Sequence, residues 1–381
     1  MAGPLSGLRI IEFAGIGPGP FAGMMLADHG AEVIRIERPG PAGGVGSMRG
    51  KDVLARSRRS IGLNLKSPEA LAVARKLCAN ADGVIEGLRP GVMERLGLGP
   101  DELLADNPKL VYGRMTGWGQ TGPYAHAAGH DINYIALSGA LWHFGREGEK
   151  PTPPINMVGD FGGGAMMLAF GMVSAMLNVQ RGGEGQVIDC AMTDGSALLM
   201  GMLWGMKNAG MFQERRGGNL LDTAAYFYDT YECSCGGYIS IGSIEPQFYA
   251  ELLHRVGLQD DPDFAVQMDP RKWPDLKERL TALFLTRSRD EWCEVMEMTD
   301  VCFAPVLPMS EAAQHPHNVA RGTFIEVGGD TQPAPAPRYS KTVTDQPRPE
   351  VGPGKDTDAI LAELGLDETE LAALNAAGAL G

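Results

Sequence analysis

Residues 8–36, LRIIEFAGIGPGPFAGMMLADHGAEVIRI, contain the pattern that decides the fold. An apolar run over residues 8–14 leads into a glycine-rich turn at residues 15–20, an apolar helical stretch at 21–29 and a second apolar run at 32–36. Short apolar runs bounded by glycine and proline are typical of buried strands. Two such strands joined through a helix predict a parallel βαβ unit.

Further elements follow the same alternation along the chain. The remaining predicted strands of this part lie at residues 60–65, 83–86, 110–116 and 186–192, with helices at 68–79 and 162–178. This order predicts an α/β fold with a large doubly wound parallel-sheet domain. The composition changes near residue 215, where a smaller α+β domain begins, with a strand at 238–241 and helices at 247–256, 274–285 and 289–298.

The two domains share the chain unequally. We assign residues 1–222 and 325–381 to the large domain and residues 223–324 to the small one. The proline-rich stretch 331–353 is expected to be an extended strap over a surface, and two closing helices are predicted at 356–364 and 367–376.

Composition restricts the class of protein. The chain has 381 residues, 44% of them hydrophobic and 21% charged, which predicts a folded protein with a large core. Its net charge of −14 argues against nucleic acid or an anionic membrane as the main partner. The cysteines are widely spaced and the N-terminus lacks a signal pattern. The longest apolar stretch, residues 164–177, is shorter than the roughly 20 residues needed to span a bilayer. These features predict a cytoplasmic protein.

One segment departs from this acidic composition. Residues 35–66 contain eight basic and two acidic side chains, a net charge of +6. The basic members are Arg35, Arg38, Arg49, Lys51, Arg56, Arg58, Arg59 and Lys66. We expect Arg38, Arg58 and Arg59 to lie near the carboxyl edge of the sheet, joined by Arg89 and Arg95 from the next loop and helix. Guanidinium groups there predict a polyphosphate ligand, although a solvated charged loop remains an equal alternative.

The glycine turn at residues 15–20 resembles a dinucleotide-binding loop only in part. The sequence GIGPGP is not GxGxxG, and Arg38 lies beside Glu37, the acid that such a site would use for the ribose. A tight turn between a strand and a helix is therefore the favoured interpretation.

Two ionisable residues are candidates for chemistry. His130 lies directly before an apolar helix, and Asp160 lies at the start of the buried helix, followed closely by three glycines. For each residue the alternative is a structural role as a helix N-cap with its hydrogen bonds formed, without any part in chemistry. The helix start favours a carboxylate and an oxyanion, and the glycines allow a ligand to approach the backbone. The pair His126 and His130 has helical spacing, but no further ligand accompanies it, so a metal site is not expected.

The motifs GHDINY, NMVGDFGGG and GSIEPQFY, together with the N-terminal stretch, closely resemble the α-methylacyl-CoA racemases, a group within the family III CoA-transferases. The resemblance covers the chain from about Pro4 to the final helices. It implies a 2-methylacyl-CoA thioester as substrate, with CoA as part of that substrate and no separate cofactor. It also implies an interlocked homodimer and a role in fatty acid and lipid metabolism.

The resemblance assigns roles to individual residues. His130 and Asp160 match the catalytic pair, Glu245 matches the acid that pairs with the histidine, and Asn156 matches an active-site amide. The residues that match the substrate-binding positions are Ile16, Arg38, Leu63, Asn64, Lys66, Gly87, Arg89, Arg95, Gly129 and Tyr134.

The residue types suit racemisation. Inverting a carbon α to a thioester requires one group to remove a proton from one face and another to return one to the opposite face. The N–H groups of Asp160 and Phe161 are expected to stabilise the enolate oxygen. CoA transfer with Asp160 as nucleophile is the alternative on the same fold, and a silent CoA-ester-binding protein is a third.

One position departs from the family pattern. Tyr226, a larger and more polar residue, stands where relatives have proline, so the resemblance does not fix the acyl chain that this protein accepts.

Overall fold

Six parallel strands form the central sheet in a computed structural model that describes residues 2–40 and 51–380. Their bounds are β1 Arg9–Phe13, β2 Glu32–Glu37, β3 Arg59–Gly62, β4 Gly83–Glu86, β5 Val111–Thr116 and β6 Gln186–Ala191. The spatial order is β3-β2-β1-β4-β5-β6. Strands β1 to β3 are added on one side and β4 to β6 on the other, so the strand order reverses between β1 and β4. The prediction of a doubly wound α/β sheet is therefore confirmed. Ligands of such sheets bind at the carboxyl ends of the strands, beside the point of reversal.

Helices cover both faces of this sheet. Their bounds are α1 Pro18–Asp28, α2 Pro68–Ala79, α3 Val92–Arg95, α4 Pro100–Asp106, α5 Asp131–Leu137, α6 Met166–Gln180, α7 Met192–Leu199 and α8 Gly201–Asn208. Local sequence explains where α2 begins, because Ser67 accepts the N–H of Ala70 and Pro68 occupies the first turn. The apolar residues of β1 to β5 and of these helices form two buried clusters, one on each face of the sheet.

The helix α6 is longer than its sequence predicts. A π-helical segment, Met157–Ala165, runs directly into it, so the continuous helix has 24 residues, with a mean hydropathy of 1.4. By length and composition alone this helix could span a bilayer, so the expectation that no stretch is long enough is wrong. Leu168, Met172 and Met176 on this helix are buried and lie over Gly83 and Gly113, where a Cβ atom would collide with them.

The second unit has a three-stranded antiparallel sheet of β7 Tyr228–Glu232, β8 Tyr238–Gly242 and β9 Phe303–Val306. Its helices are α9 Pro246–Val256, α10 Trp273–Phe284, α11 Arg289–Met296, α12 Met309–Ala312 and α13 Pro316–Arg321. Aromatic rings fill its core. Tyr226 is fully buried there, and its hydroxyl bonds that of Tyr249. Tyr226 therefore belongs to the core of this unit.

The chain then returns to the first unit. A hairpin of β10 Phe324–Val327 and β11 Asp330–Pro333 precedes an extended segment, and the helices α14 Thr357–Glu363 and α15 Glu368–Ala376 follow. The extended segment crosses the amino-terminal edge of the sheet, where the N–H of Ser57 donates to the carbonyl of Arg348 at 2.9 Å. After α15, Leu380 forms a β-bridge with Leu63.

The division into units differs from the predicted one. One unit comprises Met1–Ala140, Pro154–Gly201 and Phe324–Gly381, and the other Leu141–Pro153 and Met202–Thr323. The predicted domain boundaries at residues 222 and 324 stay a prediction. Within the second unit, Arg216 donates to the carbonyl of Trp142 at 2.8 Å and so connects its two stretches of chain.

Candidate active site

The carboxyl edge of the parallel sheet brings together most of the residues that the sequence predicts. The glycine turn follows β1, Arg38 follows β2, and Gly87 and Arg89 follow β4. The long loop after β5 leads to His130. The turn presents Ile16 with 83% of its surface exposed, at the reversal of strand order where such sheets bind ligands.

Four cations at this edge are exposed. They are Arg38, Lys66, Arg89 and Arg95, and none forms an ion pair with any residue that the structure describes. Unpaired cations in neighbouring loops attract anions, and guanidinium groups can donate two parallel hydrogen bonds to a phosphate. The carboxyl edge is therefore suited to a ligand with several phosphates.

The other basic residues of segment 35–66 do not join them. Arg58 precedes β3 and Arg59 is its first residue, so both lie at the amino end of that strand, and the expectation that they reach the carboxyl edge is wrong. Arg58 is buried against Glu12, and Arg59 binds Glu32 and Glu363. The remaining pairs are Arg35 with Glu12 and Glu37, Lys51 with Asp330, and Arg56 with Asp28. Arg49 lies outside the described residues.

Leu63 and Asn64 have a structural role in the loop after β3. Leu63 is almost fully buried, and the N–H of Asn64 donates to the carbonyl of Ala379 at 2.8 Å. The side chain of Asn64 accepts the N–H of Lys66 at 3.3 Å. These contacts fix the loop that carries Lys66.

His130 is the exposed N-cap of α5. Its backbone N–H donates to the side-chain oxygen of Asn133 at 3.0 Å, which fixes the start of the helix. The hydroxyl of Tyr134 donates to the carbonyl of Gly129, and the ring packs edge-on against Trp118 at 4.8 Å between centroids. Tyr134, predicted as a substrate contact, is only 7% exposed and acts as a support for the loop that carries His130.

Asp160 lies in the π-helical segment, close to the glycine turn. Its Oδ2 atom accepts a hydrogen bond from the side-chain amide of Asn156 at 3.0 Å, and a Cβ atom on Gly17 would lie 3.4 Å from the same oxygen. Burial raises the pKa of Asp160, Asn156 lowers it, the charge of Asp131 raises it, and His130 lowers it. Asp131, the residue after His130, accepts the N–H of Asp160 at 2.8 Å, so His130 and Asp160 belong to the same part of the site.

The helix start differs from the prediction in two ways. The N–H of Asp160 donates to the carboxylate of Asp131 at 2.8 Å, so the expectation that it stabilises an enolate oxygen is wrong. Two of the three glycines serve helix packing, because a Cβ atom on Gly163 would lie 2.6 Å from the N of Ser196, and one on Gly164 would lie 2.8 Å from Met192. Asp131 is the residue at this site to which the sequence assigns no role.

Glu245 belongs to the second unit, where it is the exposed N-cap of α9. Its pairing with His130 stays a prediction. The described residues include no group of three or more His, Cys, Asp or Glu side chains arranged to hold a metal ion.

Comparison with known proteins gives consistent matches. Residues 5–357 match the family model described as CoA-transferase family III. The chain is 44% identical to the α-methylacyl-CoA racemase of Mus musculus over 97% of this chain and 96% of that protein, and 42% identical to the one of Homo sapiens over the same shares. The crystal structure of a CAIB/BAIF family protein from Brucella suis superimposes with a TM-score of 0.82 at 27% identity, covering 96% of this chain and all of that one. The chain therefore belongs to family III of the CoA-transferases.

Proposed function

We propose that this protein interconverts (2R)- and (2S)-2-methylacyl-CoA thioesters by removing the α proton and returning one through an enolate. The observation that carries the proposal is the placement of His130 and Asp160, two side chains able to carry a proton, at one edge of the sheet beside four exposed cations. The similarity to two proteins named α-methylacyl-CoA racemase supports it.

The exposed cations hold the CoA part of the substrate. Arg38 and Arg95 bind phosphate oxygens with planar, two-pronged donors, and Lys66 and Arg89 add positive charge on the loops beside them. Binding energy from this distant part of the substrate orients the thioester at the reacting centre.

Proton transfer needs two groups on opposite faces of the α carbon. In one direction the Asp160 carboxylate takes the proton while the His130 imidazolium donates one, and in the other direction the roles exchange. In each direction the C–H electron pair moves into the enolate and then forms the new C–H bond. Each turnover therefore leaves both residues in the opposite protonation state from the one in which they began.

The enolate oxygen is stabilised by the amino-terminal end of the helix that carries Asp160. The N–H groups of Met157 and Val158 donate to no other residue within 2–40 and 51–380, as expected for the first turn of a helix. Such donors, together with the helix dipole, favour a developing negative charge. The reaction needs no metal or redox cofactor, since CoA travels with the substrate. The cytoplasmic location and the role in fatty acid metabolism stay predictions.

We also propose that the protein is a homodimer. Met166, Phe170, Val173 and Leu177 form an exposed apolar stripe along α6, at the spacing of one helix face. Contiguous exposed apolar stripes are typical of protein interfaces. Phe170→Glu should shift the sedimentation coefficient from dimer to monomer. A wild-type monomer in the same experiment would contradict the dimer.

The test of the activity uses one pure 2-methylacyl-CoA epimer in deuterated water, followed by chiral analysis and mass spectrometry. We expect both epimers to form, with deuterium at the α carbon. If the epimer stays unchanged while CoA moves to an added carboxylate, the chain is a transferase with Asp160 as nucleophile, and the racemase proposal is wrong.

Two variants and a control locate the chemistry. His130→Ala and Asp160→Asn should each reduce interconversion by at least about a hundredfold, because general acid–base catalysis contributes that much or more. His126→Ala removes another exposed imidazole, four residues earlier, and should retain activity. Full activity in either of the first two variants would remove that residue from the mechanism.

A further inference from the structure

Asp131, a carboxylate that the proposed reaction does not use, lies next to Asp160. It is the first residue of α5 and only 6% exposed. Its Oδ2 atom accepts the backbone N–H of Asp160 at 2.8 Å, while its Oδ1 atom is buried and has no hydrogen-bond partner among the described residues. A buried carboxylate that is only half satisfied costs free energy, which points to a role at this place.

The local backbone makes room for this carboxylate. A Cβ atom on Gly159 would lie 2.5 Å from Oδ2 of Asp131, so only glycine permits the approach. The π-helical segment Met157–Ala165 carries both Gly159 and Asp160 and contacts α5. Single π turns inside α-helices are frequent at functional sites. The chain thus combines a glycine and an unusual helical turn at the point where Asp131 meets Asp160.

We propose that Asp131 is a positioning residue for proton transfer at Asp160. It fixes the backbone of Asp160 through one carboxylate oxygen and holds a second negative charge beside the reacting carboxyl group. The inference rests on the proposed function and names a group that acts through Asp160 without touching the substrate.

The electrostatic consequence follows from the groups that face Asp160. From α5 these are His130, Asp131 and Tyr134, and from its own helix the uncharged amide of Asn156. The glycine turn before α1 carries no charged side chain. Asp194 on α7 is exposed and does not contribute to the shift in pKa. The charge of Asp131 therefore raises the pKa of Asp160, in addition to burial.

This shift serves a reaction that runs both ways. An ordinary aspartic acid titrates roughly two and a half units below an ordinary histidine, so a proton held between two such groups strongly prefers the imidazole. A second carboxylate makes Asp160 a better proton acceptor and brings the two groups closer in proton affinity. The two forms of the free enzyme, one with the proton on Asp160 and one with it on His130, are then populated more evenly.

The variant Asp131→Asn separates charge from geometry. Its amide oxygen still accepts the N–H of Asp160, but the negative charge is lost. We expect the acidic limb of the pH profile of kcat/KM to move to lower pH, because Asp160 then ionises more readily. The limb should move equally for both epimers, since the equilibrium constant between them is fixed.

Asp194→Asn is the matched control. It also removes one carboxylate, from a helix that contacts the same π-helical segment, but from an exposed position. Its acidic limb should coincide with that of the wild type. An unchanged acidic limb in Asp131→Asn would overturn the proposal and leave Asp131 with a purely structural role.

A second readout does not depend on activity. Aspartate labelled with 13C at the side-chain carboxyl can be titrated by NMR, with the Asp160 resonance identified by its absence in Asp160→Asn. The midpoint for Asp160 should be lower in Asp131→Asn than in the wild type. If the Asp160 midpoint is lower in Asp131→Asn but the wild-type protein does not racemise its substrate, only the proposed function is contradicted. If the Asp160 midpoint is unchanged in Asp131→Asn, the role of Asp131 is overturned whatever the activity.

Discussion

The two edges of the parallel sheet use basic residues in opposite ways. At the amino edge Arg59 binds Glu32 and Glu363, and Arg9 binds Glu32 as well. At the carboxyl edge Arg38 and Lys66 are exposed and form no ion pair with described residues. Arg38, Arg59 and Lys66 come from one short basic segment, so the location of a binding site depends on which charges the fold leaves unpaired.

Between the edges, one pair belongs to the interior. Arg58 and Glu12 are both almost completely buried, and Arg58 also donates to the carbonyl of Pro20 at 2.9 Å in α1. The pair connects β1 to the first turn of α1, next to the glycine turn of the active site. Its role is structural, and it supports the carboxyl edge without offering a charge to the ligand.

The largest effect is expected for Arg58→Met. Loss of the guanidinium leaves Glu12 buried with only the Arg35 contact at 3.3 Å, and breaking a buried pair in this way costs about 3–5 kcal/mol in the free energy of unfolding. Urea denaturation of the variant and the wild type measures the difference.

The pH dependence of the stability lost in Arg58→Met gives a further check. Burial raises the pKa of Glu12, against the opposing charges of Arg58 and Arg35, so the ionised form is the one that the fold penalises. The deficit of Arg58→Met should therefore be greatest at neutral pH and shrink as the pH falls and Glu12 takes up a proton. Adding Glu12→Gln should recover much of the stability. A deficit that this second change leaves intact would mean that the buried charge is not its cause.

A smaller effect is expected at the carboxyl edge. Arg38→Ala and Arg95→Ala should each raise KM for the CoA thioester about tenfold, because a hydrogen bond to a charged group contributes roughly 1.5–3 kcal/mol. The melting temperature should not change, since neither side chain forms an ion pair with a described residue. Steady-state kinetics and thermal unfolding separate the two. An unchanged KM in both variants would mean that CoA binds elsewhere.

The smallest effect is expected for Arg59→Gln. This change removes the same charge as Arg38→Ala from the other edge of the same sheet. It should leave KM unchanged and cost about 1 kcal/mol or less in stability, because the carboxylates that it pairs with are part-exposed. A rise in KM as large as that of Arg38→Ala would show that total charge, and not position at the edge, governs binding.

The sequence predicts the framework well. β4 and α2 have the predicted bounds, and the other five strands of the parallel sheet differ by at most a few residues, because buried parallel strands and capped helices leave clear local patterns. Position in the sheet was harder to predict for Arg58 and Arg59. They lie at the amino end of β3, and their partners are distant in sequence.

The site was predicted by resemblance and only partly by pattern. His130 and Asp160 do lie at one edge, but the contact between Asp131 and Asp160 joins two helices and has no local signal. The π-helical segment could not be foreseen, because its glycines indicate a weak helix start when read alone. Tyr226 illustrates the same limit, since its burial depends on the rings of Tyr249 and Phe264, which come from two later parts of the second unit.

The contacts between β3 and the end of the described chain have a consequence for biosynthesis. The N–H of Ser60 donates to Asp356, 296 residues later, and Leu63 pairs with Leu380. At a translation rate of about 5–20 residues per second, the strand waits roughly 15–60 seconds on the ribosome before these partners exist. During that interval β3 is an uncovered edge strand of a parallel sheet, the kind of surface that pairs with other chains. Until synthesis has passed residue 380, this edge of the nascent sheet is therefore exposed to pairing with other chains.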